Sequence, residues 1–218
     1  MSTPERLHFP ELAALGWLRH AFVGRAAGVE VSVEREEAIR RLAEFHDAAR
    51  RAEGFVGEPV LAEQVHGSRV VPVTEADAVA VPVPGADGLL TDRPGLPLAI
   101  YVADCCAVYL ADPVRRAIGL VHAGRKGAEL GILPEAIRLL GETYGSRPSD
   151  LLVQLSPCIR PPCYDVDFAA LLREQARDCG VGEVFDCGVC TGCDLGRWYS
   201  YRIEKGRTGR MLALLALR

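Results

Sequence analysis

The chain has 218 residues, of which 49% are hydrophobic and 25% are charged, a composition typical of a soluble globular protein. This length predicts one domain, spanning residues 1–218, with a well-buried core. The formal net charge of −4 gives no electrostatic reason to expect nucleic acid or an anionic membrane, and neither is an expected partner.

The N-terminal residues MSTPERLHFPEL lack the apolar core of a secretory signal, and no segment has the ~18 consecutive apolar residues of a membrane span. We therefore expect a cytoplasmic protein. In a reducing compartment its eight cysteines point to metal ligation, catalysis or burial rather than to disulfides.

The first predicted element is an amphipathic helix over residues 34–51, where apolar side chains share one stripe and charges lie opposite. We expect His46, beside that stripe, to be partly exposed. Short apolar runs between turn signals then predict a series of strands. They cover residues 59–65, 69–73, 86–92, 96–105, 107–112 and 117–123. His66-Gly67-Ser68 is expected to form a tight connection between the first two strands.

The second half of the chain alternates helices and strands. A helix is expected over residues 127–144, with Pro134 either kinking it or beginning a second helix. A strand over 150–156, a helix over 167–178 and a closing strand over 211–217 follow. Strands in blocks with helices between them predict an α+β fold built in layers.

Three side chains suited to metal binding lie where predicted strands meet loops. They are His66 in QVHG, Cys105 in VADC and His122 in VHAG. Two imidazoles and one thiolate suit zinc and leave a fourth tetrahedral position open, as catalytic sites require. Their separations of 39 and 17 residues match no local motif, so hydrogen-bonded loop histidines and a small buried cysteine are the alternative interpretation.

Several segments, in this order, resemble the YfiH-type multicopper polyphenol oxidase (laccase domain) family. The segments are LAEQVHGSRV, ADGLLTDRPGLPLAIYVADC, GLVHAG, SPCIRPPCYDV and YSYRIEKGRTGR. The resemblance runs from about His20 to the C-terminus. Five matches in order are much more specific than any one of them.

The resemblance implies a layered α/β/β/α sandwich with mixed β-sheets and one metal site formed by His66, Cys105 and His122. It implies phosphorolysis of adenosine, inosine, guanosine and methylthioadenosine, together with adenosine deaminase activity. The expected partners are thus a purine nucleoside and phosphate, and the expected metal is zinc, with copper as the alternative. A zinc ion there would lower the pKa of a bound water toward ~7. Copper oxidase chemistry is disfavoured, because the chain has five histidines and no His-X-His pair.

Other candidate residues surround this trio. Asp104 is either a supporting or proton-transferring carboxylate or a strand-end turn residue. Arg25, Arg125 and Lys126 are candidates for binding phosphate or substrate, with solvated surface cations as the alternative, and the start of the helix after His122 is a candidate anion cradle. The family's HAGWRG segment reads HAGRKG here, which indicates an altered substrate preference or weakened activity.

The remaining cysteines allow two interpretations. Cys187, Cys190 and Cys193, with Cys179 as a fourth thiolate, form either a second metal site or a set of incidental reduced thiols. Cys106 is expected to be a core thiol on the strand face opposite Cys105. Cys158 and Cys163 are expected in a structural turn near the site.

Two other functions compete with a metal-dependent phosphorylase. One is a metal-free cysteine hydrolase or amidase of the peptidoglycan-editing type, with Cys105 as nucleophile and His122 as its base. The other is a non-catalytic metal-binding protein. The sequence leaves the oligomeric state open.

Overall fold

A computed structural model describes residues 5–78 and 81–218 of the chain. The described residues form eleven strands. These are β1 (Arg6–Leu7), β2 (Leu18–Val23), β3 (Val60–Leu61), β4 (Val70–Pro72), β5 (Gly88–Thr91), β6 (Leu98–Val102), β7 (Cys106–Asp112), β8 (Ala117–Ala123), β9 (Leu152–Leu155), β10 (Glu183–Asp186) and β11 (Met211–Leu217). The α-helices are α1 (Pro10–Ala13), α2 (Arg35–Ala52), α3 (Arg125–Glu129), α4 (Ile132–Tyr144) and α5 (Phe168–Asp178).

The strands form two mixed sheets. The first sheet has the order β1-β2-β11-β6-β3, and the second has the order β10-β9-β7-β8-β5-β4. In the first sheet β11 pairs antiparallel with both β2 and β6, whereas β3 joins β6 in parallel. In the second sheet the central pair β7–β8 is antiparallel, and β4 and β10 are parallel to their neighbours.

Strand side chains alternate between two buried layers, which explains why nearly every strand reads as a continuous apolar run. Phe22 of β2 and Tyr109 of β7 point into the main core between the sheets. Their neighbours Val23 and Val108 point outward, toward separate clusters beneath the helices. Helix α2 covers the first sheet, while α4 and α5 cover the second. The fold is therefore an α/β/β/α sandwich of the α+β class, as the sequence predicts.

One hydrogen bond joins the sheets through this core. The hydroxyl group of Tyr109 is fully buried and donates to the carbonyl oxygen of Ala21 at 2.9 Å. A buried hydroxyl without a partner would destabilise the fold by about 1–3 kcal/mol, so this bond fixes the position of the ring as well as satisfying it.

Several elements differ from the sequence-based expectations. Strands β3 and β4 have only two and three residues, and they belong to different sheets. The segment around His66 consequently crosses between sheets instead of closing a hairpin, a difference that local turn chemistry does not reveal. Strand β2 was not predicted, because Arg19 and His20 interrupt its apolar character.

The expected long helix after His122 is divided into α3 and α4. Helix α3 begins at Arg125 and has five residues, and Gly131, with φ of 76°, redirects the chain before α4. Pro134 lies in the first turn of α4, where backbone N–H groups have no partner within the helix, so its missing N–H breaks no helical hydrogen bond. No helix in the described ranges combines the length and apolar character needed to cross a bilayer.

The prediction that His46 is partly exposed was wrong. Its side chain lies against Phe45 and Tyr101 and retains only 3% of its accessible surface. The buried face of α2 is wider than the stripe of apolar residues, because the helix packs on the broad face of a sheet.

A second buried histidine predicts how stability responds to pH. The Nε2 atom of His20 accepts a hydrogen bond from the backbone N–H of Phe9 at 2.7 Å, so the folded chain needs this nitrogen unprotonated. Burial, aided by the nearby His8, lowers the pKa of His20 from 6.5 to about 4. The unfolded chain therefore binds this proton at a higher pH than the folded chain, and stability is lost as pH falls from about 6.5 to about 4.

We expect His20 to contribute about 3 kcal/mol to the fall in the free energy of unfolding between pH 7 and pH 4. His46, whose pKa burial lowers to about 4, adds a similar contribution. Urea unfolding at a series of pH values should show that His20→Gln reduces the fall in the free energy of unfolding by about 3 kcal/mol. His8→Gln is the comparison variant: it leaves in place the burial of His20, the main cause of its lowered pKa, and should reduce the slope much less. An unchanged slope in His20→Gln would contradict this account.

Candidate functional site

The second sheet brings Cys105 and His122 together at one edge. Strands β7 and β8 pair with Cys106 opposite Ala123 and Ala107 opposite His122, so Cys105, just before β7, lies beside the end of β8. His66 arrives from the segment that crosses between the sheets. Ligand atoms of His66, Cys105 and His122 all lie within 4.8 Å of one another. Residues that are far apart in the sequence thus share one small volume.

Asp87, which the sequence analysis missed, holds this group together. Its Oδ1 accepts hydrogen bonds from His122 Nδ1 at 2.8 Å and from the His66 backbone N–H at 2.9 Å. Its Oδ2 accepts from the Gly67 N–H at 2.8 Å, and the residue is fully buried. With Nδ1 engaged, Nε2 is the nitrogen of His122 that is available to a metal. The signal in the sequence was an isolated carboxylate directly before the apolar strand β5.

The backbone around the trio adopts unusual conformations. His66, Gln64 and Asp104 are non-glycine residues with φ values of 61°, 65° and 79°. Such conformations cost free energy and persist where surrounding contacts impose them, often at functional sites. Here Gln64 provides the contacts, since its side-chain amide donates to Tyr101 O at 2.6 Å and accepts from Tyr101 N at 3.0 Å. The segment before His66 is thereby fixed to β6.

Gly124 makes room for the thiol. A Cβ atom at this position would lie 2.7 Å from Cys105 Sγ, well inside van der Waals contact. Any larger residue there would displace the sulfur from the two imidazoles. The glycine of the VHAG segment is therefore required by close packing against Cys105.

The three side chains are electrostatically coupled. Burial acts to raise the pKa of the Cys105 thiol, but the imidazoles of His122 and His66 outweigh it and lower that pKa to about 6. Burial acts to lower the pKa of His122, whereas Cys105 and Asp87 raise it to about 9. Near neutral pH the site therefore favours a thiolate beside a protonated imidazole. A thiolate is the form that binds metals or attacks electrophiles.

Asp104 performs a different task from Asp87. Its Oδ1 accepts from the hydroxyl group of Thr191 at 2.7 Å, and its Oδ2 accepts from the backbone N–H of Arg202 at 2.6 Å. It joins two distant loops to the start of β7. In the described part of the chain, the carboxylate that contacts the trio is Asp87.

A cleft of ≈ 1130 Å³ opens above the trio. Seven cationic side chains line it, although the chain as a whole is acidic: Arg35, Arg125, Lys126, Arg202, Lys205, Arg207 and Arg210. Aromatic side chains line it as well, namely Tyr101, Tyr164, Phe168 and Tyr201. The cleft therefore suits a ligand that combines a planar ring with an anionic group.

The predicted anion-binding residues have different positions. Lys126 and Arg125 line the cleft, and Arg125 is paired with Glu129 at 2.7 Å. Arg25 does not line it: its guanidinium donates to Glu204 at 2.7 Å and lies over the Tyr199 ring. Arg25 instead fixes the segment that carries Tyr201 and Arg202. The anion cradle expected at the helix after His122 has little support, since five residues give only a weak helix dipole.

The second cysteine group differs from the predicted one. Cys190 and Cys193 lie with Cys163, and neither Cys187 nor Cys179 belongs to this group. Burial raises the pKa of Cys187 to about 11, and its sulfur is not one of the three that lie close together. Sequence spacing failed here because the third thiol comes from a separate loop. Cys106 is fully buried in the layer beneath α4 and α5, as expected.

The chain is similar to a known protein family and to several curated proteins. The family model described as multi-copper polyphenol oxidoreductase laccase matches residues 19–169 and 165–218. The chain belongs to this family. Purine nucleoside phosphorylase YlmD of Geobacillus stearothermophilus is 32% identical over 90% of this chain and 85% of its own length. Purine nucleoside phosphorylase of Deinococcus radiodurans is 31% identical over 97% and 92%, respectively.

Solved structures of family members share the fold. The crystal structure of YlmD from Geobacillus stearothermophilus aligns with a TM-score of 0.83 at 26% identity and covers 94% of this chain and 93% of that one. The Bacillus licheniformis protein YfiH gives a TM-score of 0.81 at 25% identity, with coverages of 99% and 97%. The overall layered arrangement is thus shared with these solved structures.

Two buried aspartates lead to different expectations for metal binding. Asp87→Asn should weaken zinc binding about 10- to 100-fold. The amide lacks the negative charge that orients His122, and its NH₂ group would face another hydrogen-bond donor, either Gly67 N–H or His122 Nδ1–H. Zinc affinity is measured by competition with a chelator. Asp112→Asn, at the far end of β7, is the matched control, because this fully buried carboxylate also accepts two backbone N–H bonds, and it should leave the affinity nearly unchanged. Equal weakening in both variants would show that Asp87 has no special role.

Proposed function

We propose that this protein is a purine nucleoside phosphorylase whose site is centred on a metal ion held by His66, Cys105 and His122. The observation that carries the proposal is the convergence of these three side chains, within 4.8 Å of one another, beneath a cationic and aromatic cleft. The printed names of the relatives, purine nucleoside phosphorylases, supply the reaction class. The proposed substrates are a purine nucleoside and inorganic phosphate.

The donor set fits zinc better than other metals. Two imidazole nitrogens and a thiolate are common zinc ligands, and three protein ligands leave one coordination position for a substrate or solvent atom. Asp87 orients His122 in the manner typical of histidine ligands. Zinc would supply Lewis-acid chemistry when bound. Copper is the alternative metal, because the same ligands bind Cu²⁺ with high affinity.

The residues around the trio support the two halves of a phosphorolysis reaction. Phosphate must approach C1′ of the ribose while the bond to the purine breaks, and negative charge moves between the reactants. The cationic side chains, including Lys126 and Arg202, attract the phosphate dianion and reduce the repulsion it meets. Tyr164 and Tyr201 offer faces against which a purine ring packs.

Adenosine deamination is the second reaction that we assign to the same site. It requires removal of the exocyclic amino group by water, and it needs no phosphate. Inosine formed in this way is itself a nucleoside that phosphorolysis would split. The two activities are therefore separable by omitting phosphate from the assay.

Multicopper oxidase chemistry is not proposed, whatever the family is called. Within residues 5–78 and 81–218, the groups of three or more close potential ligands are the His66-Cys105-His122 trio and a set of three cysteines. Neither group has the several histidines that a trinuclear copper centre requires. The ligand arrangement thus agrees with the histidine count of the sequence.

The decisive experiment incubates the zinc-loaded protein with adenosine, with and without phosphate, and separates the products by chromatography. We expect adenine and ribose 1-phosphate only with phosphate, and inosine in both conditions. His66→Ala should lower both rates at least about 100-fold, because one metal ligand is lost. His8→Ala, which removes an exposed histidine elsewhere, should not.

Failure of this test has a clear meaning. If folded, zinc-loaded protein releases no free base from adenosine, inosine, guanosine or methylthioadenosine in the presence of phosphate, the proposed function is wrong. If base is released and His66→Ala retains full activity, phosphorolysis stands but the metal site is not where it occurs.

One observation favours a second candidate, a metal-free cysteine hydrolase or amidase. Cys105 and His122 form a thiolate–imidazole pair, the arrangement that activates a cysteine nucleophile. A purine-independent amide substrate, such as a peptidoglycan fragment, would then occupy the cleft.

Metal removal separates the two candidates. Under the phosphorylase proposal, dialysis against a chelator should abolish nucleoside turnover, and one equivalent of zinc should restore it. Iodoacetamide should modify Cys105 faster in the metal-free protein than in the zinc-loaded protein. Full hydrolytic activity in the metal-free protein, lost on alkylation of Cys105, would favour the cysteine hydrolase.

A further inference from the structure

Three cysteine sulfurs form a second cluster outside the His66-Cys105-His122 trio. The ligand atoms of Cys163, Cys190 and Cys193 all lie within 4.8 Å of one another, and the sulfurs of Cys163 and Cys193 are 3.3 Å apart. Cys193 is exposed and the other two are partly exposed, so ions in solution reach the cluster. All three thiols are free.

Two chain segments are held together to create this cluster. The backbone around Cys158 and Cys190 forms a parallel bridge, in which Cys158 N donates to Val189 O at 3.2 Å and Thr191 N donates to Cys158 O at 3.1 Å. The guanidinium of Arg160 also donates to Val189 O and pairs with Asp186. The loop that carries Cys163 is therefore fastened to the turn that carries Cys190 and Cys193.

Gly192 allows the turn to close on the loop. A Cβ atom at this position would lie 2.7 Å from Cys163 Cβ and 3.1 Å from its sulfur. Only glycine permits that approach without displacing Cys163. The proximity of the three sulfurs is thus a result of backbone packing rather than of flexible side chains that meet by chance.

The spacing suits a metal better than a disulfide. Zinc–sulfur bonds of about 2.3 Å in tetrahedral geometry separate two sulfurs by about 3.8 Å. That distance lies between the 3.3 Å separation of Cys163 and Cys193 and the 4.8 Å limit for the whole cluster. A disulfide needs about 2.05 Å and leaves one of three thiols unused.

We propose that Cys163, Cys190 and Cys193 form a second metal site that binds a thiophilic d¹⁰ cation, Zn²⁺ or Cu⁺. The three thiols release their protons to solvent as the sulfur–metal bonds form. Zinc would complete a tetrahedron with a ligand from solvent on the exposed side of Cys193, whereas Cu⁺ would accept the three sulfurs alone.

The location of the cluster gives the metal a structural role beside the cleft. Thr191, between two of the thiols, donates its hydroxyl to Asp104, which precedes Cys105. Tyr164, next to Cys163, lines the cleft. A cation at the three sulfurs therefore fixes one wall of the cleft and the residue adjoining the first metal site.

Metal counting on the full chain tests the proposal. Anaerobically prepared metal-free protein is titrated with Co²⁺, whose sulfur-to-metal absorption reports thiolate ligation, and then with Zn²⁺ and Cu⁺ in competition with chelators. We expect the parent protein to bind two equivalents of metal and the Cys190→Ser/Cys193→Ser variant to bind one. Cys179→Ser, which removes a thiol outside the cluster, should still bind two.

Competition between equal amounts of the two cations distinguishes them. A trigonal three-sulfur site should keep Cu⁺ when Zn²⁺ is added, whereas a tetrahedral site with a solvent ligand should exchange its bound cation for Zn²⁺. Identical metal content in the parent and the double variant would overturn the proposal. So would a Cys163–Cys193 disulfide found by mass spectrometry in protein purified under reducing conditions. If the double variant does not fold by circular dichroism, Cys193→Ser alone, at an exposed position, should weaken cobalt binding at the second site.

This result is independent of catalysis. His66→Ala removes a ligand of the first site only, so it should reduce nucleoside turnover and leave the three-sulfur absorption unchanged. Loss of the second metal should instead lower the thermal stability of the parent protein. The proposals for the two sites are therefore tested independently of each other.

Discussion

The hydrogen bonds of the Asp87 carboxylate are the interaction on which the rest of the site depends. One oxygen atom accepts from the side chain of His122 and from the backbone of His66, and the other accepts from Gly67. A fully buried carboxylate is costly unless every lone pair it presents is compensated, and these donors provide that compensation. The same bonds attach the segment that crosses between the sheets to the end of β8. A single carboxylate therefore fixes the His122 imidazole and the His66 backbone relative to Cys105.

The cleft depends on a second set of contacts, made by residues that do not line it. Arg25 pairs with Glu204 and lies over Tyr199, and Glu204 also accepts hydrogen bonds from Ser200 N and Thr208 Oγ1. These bonds fix a segment rich in cations that would otherwise repel one another. The local positive field of an acidic protein is thus supported by a partly buried acidic residue, Glu204, behind it. An anionic ligand would relieve the remaining repulsion.

The two groups of potential metal ligands are connected through the protein. Asp104 lies beside Cys105 and accepts a hydrogen bond from Thr191, which lies between Cys190 and Cys193. Its positive φ value shows that the backbone adopts a strained conformation to make these contacts. A few covalent and hydrogen bonds therefore connect the cysteine turn to the start of β7. Arg160 lies in the same region, and its guanidinium holds the turn through Val189 O and Asp186.

The sequence by itself predicted the α+β class and most of the strands, and its resemblance to the family singled out the three residues that converge at the site. Apolar periodicity is a local property, and motifs such as QVHG and VHAG can be recognised within a few residues. Only the tertiary structure decided that β3 and β4 belong to different sheets, that Asp87 supports the trio and that Arg25 lies behind the cleft. It also replaced Cys187 and Cys179 with Cys163 in the second cysteine group. Each of these facts depends on contacts between residues distant in the chain, because sheet order and loop packing, unlike periodicity, are set by the burial of the whole core.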